Sequence, residues 1–132
     1  LGKGSFKFLL FTPAKEHREL GLLFSNYILR ENHHKTIYLG TNVPEENLKY
    51  VHNLHQPDYL LLSIVTYPPE GKIQAYLEKM AKQFNDSQIL VAGRSVAQQK
   101  LKLPSNVQVL RSIPELQDLA ATSDVSSSSA TA

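Results

Sequence analysis

An α/β fold built on a five-stranded parallel sheet is predicted by three features of this 132-residue sequence. Short apolar segments alternate strictly with segments of helical periodicity, the links between them are short, and the apolar segments are nearly unbroken, as suits strands buried on both faces. Right-handed crossovers then place helices on both faces of the sheet. At this length a single doubly wound domain with the flavodoxin-like strand order 2-1-3-4-5 is expected.

Residues 6–11 follow a Gly/Ser-rich start and form the first strand. From Glu19 onward, Leu20, Leu23, Phe24, Tyr27 and Ile28 recur at helical spacing, which predicts a first helix with these side chains in the core; Arg30, Glu31 and Asn32 end it. A second strand over 36–39 stops at Gly40. Pro44, Glu45 and Glu46 supply a proline and two acids suited to a helix start, with Leu48, Val51 and Leu54 as the inner face. Residues 59–65 are the most apolar stretch and belong near the sheet centre. Pro68-Pro69-Glu70 opens a third helix with Ile73, Tyr76, Leu77, Met80 and Phe84 as its buried stripe. A fourth strand over 88–92 runs into Gly93, followed by a short helix at 95–102, a strand at 107–110 and a last helix at 114–120. Residues 122–132 are Ser, Ala and Thr with one Asp and one Val, too poor in apolar groups to repay ordering, and are expected to be a disordered tail. The expected domain covers 6–121. Residues 1–5 resemble a linker remnant, and the opening Leu1-Gly2-Lys3-Gly4, without methionine, predicts a segment cut from a longer chain.

Composition narrows the function classes. The net charge of +2 comes from interspersed Lys, Arg, Asp and Glu, without the basic stripe that gripping nucleic acid requires. With no cysteine there is no disulfide framework, thiolate metal site or thiol nucleophile. No apolar run approaches the ~20 residues of a membrane helix and no signal-peptide pattern is present, so no membrane partner is expected and the cytoplasm is the expected location.

In open α/β sheets ligands bind where loops leave the carboxyl ends of strands. The first such loop reads Thr12-Pro13-Ala14-Lys15-Glu16-His17-Arg18-Glu19-Leu20-Gly21. A dinucleotide fingerprint is excluded because Gly2 and Gly4 precede the strand. A magnesium-holding receiver site lacks its strand-tip acids, a flavin cradle is opposed by Pro13, Lys15 and Glu16, and no Gly-x-Ser-x-Gly elbow exists for a hydrolase. Read as side chains alone, Glu16, His17 and Arg18 are a solvated polar loop or a ligand site. His33-His34 read as helix-end polarity, and His52 and His55 as surface groups. Ser63 is a buried serine or a cleft contact, and Tyr67-Pro68-Pro69 rims that cleft or starts a helix.

Four motifs then appear in order: Glu16-x-x-x-x-Gly21, residues 38–44 reading Tyr-Leu-Gly-Thr-Asn-Val-Pro, residues 57–63 reading Pro-Asp-Tyr-Leu-Leu-Leu-Ser, and Val91-Ala92-Gly93. Together they resemble the cobalamin-binding domain, most closely the sensory C-terminal half of MerR-type transcriptional regulators. The resemblance implies a site at Glu16, His17, Arg18, Gly21, Ser63, Thr66 and Gly93, in which a His bonds cobalt from below, an acid polarises that His, glycines leave room and a Ser lines the slot for the nucleotide tail. Glu16, Gly21, Ser63 and Gly93 match the acid, the first-loop glycine, the serine and the second glycine of a pair.

Two positions depart from the pattern. Arg18 stands where the ligand His should be, and a guanidinium has no lone pair to give a metal. It is expected to pair with Glu16 or to meet an anion. Ala92 replaces the first glycine of the pair, and His17 lies one residue out of phase.

The resulting expectation is a non-enzymatic ligand-binding and oligomerisation module of a MerR-type regulator. Cobalamin would bind without a protein His ligand, no other metal is expected, subunits would self-associate, and DNA would be contacted only through an upstream domain. The alternatives are a cofactor-free interaction domain of the same regulator and a corrinoid carrier domain of a methyltransferase or mutase.

Overall fold

The computed structural model describes residues 5–129. Its sheet is built from β1 (Lys7–Pro13), β2 (Lys35–Val43), β3 (Tyr59–Ser63), β4 (Gln88–Ala92) and β5 (Val107–Leu110). All are parallel, in the order β2-β1-β3-β4-β5. The chain reverses direction across the sheet between β1 and β3, so the crevice of the fold lies beyond the carboxyl ends of these two strands.

The apolar runs explain the layering. Phe8 and Leu10 of β1 face one side and Leu9 and Phe11 the other, all with no exposed surface. Removing each from water contributes roughly 1.5–3 kcal/mol. The Phe8 side is covered by α1 (Leu20–Glu31) and α5 (Ile113–Ser129) through Leu22, Ile28, Leu29, Leu116 and Ala120. The Leu9 side is covered by α2 (Glu45–His55), α3 (Ile73–Gln83) and the single turn α4 (Arg94–Ala97) through Leu48, Ile73, Leu77, Met80 and Val96. Among the described residues no helix is long and apolar enough to cross a membrane.

Several expected details are corrected. On α1 the stripe Leu20, Leu23, Phe24 and Tyr27 is exposed, by 81, 48, 43 and 60%, while Leu22, Ser25, Ile28 and Leu29 face the sheet. This helix is apolar nearly all round, and Ser25 is accepted inside because its hydroxyl donates to the Gly21 carbonyl at 2.8 Å. Leu54 is likewise exposed on α2. β2 runs past Gly40 to Val43, with register shifts against β1 that absorb the positive φ of Gly40 and Asn42. β3 ends at Ser63, not at residue 65, because the backbone there turns toward the first loop. A 3₁₀ turn over Glu70–Lys72 precedes α3, and α4 is one turn rather than a helix over 95–102. The helix α5 passes the expected start of the tail at 122 and continues to Ser129, a stretch without the Gly or Pro that would stop it. Residues 130–132, and 1–4 of the expected linker remnant, lie outside the described residues.

His34, read as helix-end polarity, and His52, read as a surface group, are buried clamps. His34 Nδ1 accepts from the Phe6 amide at 3.1 Å, which leaves Nε2 as the donor to the Ala120 carbonyl at 2.8 Å, so one ring ties the start of β1 to α5. Ser87 Oγ donates to the Pro57 carbonyl, so the Nε2 of His52 must donate to Ser87 Oγ at 2.9 Å. Burial holds His52 below the usual imidazole range against the pull of Asp86, 3.8 Å away. Replacing His34 by Ala strands a backbone donor and a backbone acceptor, each costing about 1–3 kcal/mol. Chemical denaturation of H34A is expected to show that loss, and hydrogen exchange to show amides of α5 opening more than those of β3; uniform loosening of both would argue against the clamp.

Candidate functional site

The β1–α1 loop is held from three sides. Glu16 N–H donates to the Pro13 carbonyl at 3.0 Å, closing a turn in which Lys15 has φ +75°. A left-handed lysine costs about 1–3 kcal/mol. Asn42, itself at φ +55°, compensates: its Oδ1 accepts from the Lys15 amide at 2.8 Å. Its own amide donates to Thr12 Oγ1 at 2.8 Å and to the Glu16 carbonyl at 3.1 Å, and the Thr12 hydroxyl donates to that same carbonyl at 2.7 Å. Neither Thr12 nor Asn42 stands out as a functional residue in the sequence, although Asn42 lies within one of the four motifs.

Glu16 is the centre of the site, and it is fully buried. Its Oε1 accepts from the amides of Val65, Thr66 and Tyr67 at 2.7, 2.6 and 2.9 Å, and its Oε2 from the Arg18 amide at 3.0 Å. The carboxylate therefore caps the β3–α3 loop and its own loop together, and the solvated-loop reading of Glu16 is overturned. Burial works against its ionisation, but the four amide donors outweigh it and hold the carboxyl below the usual carboxylate value. No ion pair between Glu16 and Arg18 is present among the described residues; the bond between them comes from the Arg18 backbone.

The remaining expected site residues divide. His17 and Arg18 are both exposed. Thr66 is exposed with Oγ1 at 3.4 Å from both Glu16 oxygens, a weak contact beside its amide bond. Ser63 is buried at the tip of β3, and a Cβ built on Gly21 would come 3.4 Å from its hydroxyl, so α1 and β3 meet closely there. Gly93 has φ +147°, and a Cβ on it would lie 2.1 Å from the Ile64 carbonyl oxygen. The close approach of β3 to β4 alone accounts for glycine at 93. Ala92 is paired with Ser63 in the ladder between these strands.

On the α2–α3 side of the same edge a cavity of about 270 Å³ opens, with Tyr67 and Pro68 on its rim. Tyr67-Pro68 thus rims a cleft, while the helix proper begins later, at Ile73.

No protein-family model and no curated protein sequence matches the chain. Solved structures do. The methanol:cobalamin methyltransferase complex MtaBC of Methanosarcina barkeri superposes with a TM-score of 0.73 at 15% identity, over 93% of this chain and 46% of that one. The monomethylamine corrinoid protein of the same organism gives 0.68 at 13% identity, over 87% and 56%. A cobalamin-binding protein of Desulfitobacterium hafniense gives 0.58 at 18% identity, over 67% and 44%. The chain thus spans about half the length of these proteins. The likeness defines a fold class: a five-stranded flavodoxin-like domain of the kind found in cobalamin-binding and corrinoid proteins.

The residues present do not fit a corrinoid whose lower ligand is exchanged for a protein nitrogen. Arg18, at the motif's His position, has no lone pair to give a metal, His17 lies one residue out of phase, and Glu16 has turned inward onto backbone amides.

Replacing Glu16 by Gln puts an NH₂ among amide donors and removes the charge. A loss of about 1.5–3 kcal/mol is expected, since bonds to a charged group are involved. Because the folded carboxyl lies below its unfolded value, its contribution is complete above the ordinary carboxylate range and disappears as pH falls through the folded value. Urea unfolding against pH should show that acid limb weakened in E16Q; parallel curves for the two proteins would contradict the cap.

Proposed function

We propose that this chain is a non-enzymatic regulatory module on the cobalamin-binding fold, of the type that forms the sensory half of MerR-type regulators, and that a corrinoid at its carboxyl edge keeps its own benzimidazole on cobalt. The observation that carries this reading is the Glu16 carboxylate, fully engaged by four backbone amides and so withdrawn from any ligand imidazole. A carrier in a methyltransferase or mutase would tune cobalt through its lower ligand, and the 16–18 segment offers only His17, one residue out of phase with the motif. Regulation follows if subunit association changes the affinity for the corrinoid, since a ligand shifts an equilibrium only through differential affinity for its states. DNA contact belongs to an upstream segment, consistent with the interspersed charge of this one.

A second reading, a cofactor-free interaction domain of the same regulator, is favoured by the exposed apolar stripe Leu20, Leu23, Phe24 and Tyr27 on α1. Isolated exposed apolar residues are ordinary, but four on one helix face are not.

Hydroxocobalamin mixed with the purified chain at tens of micromolar and then desalted is expected to leave corrin absorbance with the protein. After reduction to cob(II)alamin, the electron paramagnetic resonance spectrum should show nitrogen coupling that is unchanged by ¹⁵N labelling of the chain. Loss of the cofactor on desalting would favour the second reading, and a label-sensitive coupling would show a protein nitrogen on cobalt and refute the first.

A further inference from the structure

The cavity on the α2–α3 side of the carboxyl edge has no part in the reading above. Its floor is apolar, made by Phe11 of β1, Val43 of β2, Leu48 of α2 and Met80 of α3. The Tyr67 and Tyr76 rings and Pro68 flank it, and Lys15, Glu45 and Lys79 stand on the rim. It opens on the sheet face covered by α2 and α3, whereas Gly21 belongs to α1 on the opposite face. At about 270 Å³ it lies at the small end of ligand cavities, which limits an occupant to a body of one or two fused rings.

The rim has a defined charge pattern. Lys79 is paired with Glu45 at 3.1 Å, so these two largely cancel. Lys15 has no carboxylate within ion-pair distance among the described residues and lies 5.5 Å from the centre of the Tyr67 ring. Its left-handed backbone, held by Asn42 Oδ1, sets where that side chain leaves the loop. The Tyr76 hydroxyl is kept protonated by burial and by the nearby Glu45, both of which raise its pKa, and so remains a donor at neutral pH. An apolar lining between two tyrosines, with one cation at Lys15 that has no carboxylate partner among the described residues, is complementary to an anion carried on a flat apolar body.

We propose that this cavity is a second ligand site, which takes a small aromatic carboxylate with its ring against Phe11, Leu48 and Met80 and its anion at Lys15. The site lies on the α2–α3 side of the carboxyl edge, across the sheet from α1, and the proposal stands whether or not the chain retains cobalamin.

The test uses 2-naphthoate and its neutral counterpart 2-naphthamide, titrated into the ¹⁵N-labelled chain and followed by amide chemical shifts. Saturable one-to-one binding of naphthoate is expected, with shifts at Ala14, Lys15, Tyr67 and Tyr76, and with naphthamide about tenfold weaker, or roughly 1.4 kcal/mol. K15M should weaken naphthoate by a similar factor and leave naphthamide unchanged. A14W, a substitution of an exposed residue at the mouth, should block both. Excess hydroxocobalamin should not displace the probe. Absence of saturation at millimolar probe, equal affinity of the two probes, shifts centred on Leu23, Phe24 and Tyr27, or displacement by hydroxocobalamin would each overturn the proposal.

Discussion

A carboxylate buried without a cationic partner is tolerated only when hydrogen-bond donors replace its water, and in this chain the donors are backbone amides. Glu16 collects three from the loop after β3 and one from its own loop. The carboxyl edge of the sheet takes its shape from that arrangement. It draws residues 65–67 toward β1, ends β3 at Ser63, and leaves His17 and Arg18 pointing to solvent. The Thr12–Asn42 bonds brace the other side of the same loop, so the first three strands in spatial order meet around one acidic side chain.

The architecture was legible because its signals are collective. Five apolar runs separated by helical spacing lead to one strand order, and β4 and β5 fall at the expected residues, 88–92 and 107–110. What sequence could not resolve was direction. Helix α1 carries two apolar stripes two residues out of step, and periodicity favours the fuller one, Leu20-Leu23-Phe24-Tyr27, over the inner one interrupted by Ser25. His34 reads as helix-end polarity and His52 as a surface group because their partners, the Phe6 amide, the Ala120 carbonyl and Ser87, are far away in the chain.

The site was legible as a place and less so as chemistry. The loop after β1 was identifiable from its position, and Arg18 as a departure from the motif was visible in one residue. That Glu16 faces inward was not, because the groups that neutralise it are amides of residues 65–67, which are identical in every sequence. Gly93 shows the converse: a glycine consistent with a ligand slot is required by the backbone alone, through its approach to the Ile64 carbonyl.

Helix α1 separates two jobs by rotation about its axis. Leu22, Ser25, Ile28 and Leu29 face the interior, whereas Leu20, Leu23, Phe24 and Tyr27 lie outside the core clusters. Polar substitutions on the outer stripe therefore remove little of the core and lower the apolar surface that the helix presents to water.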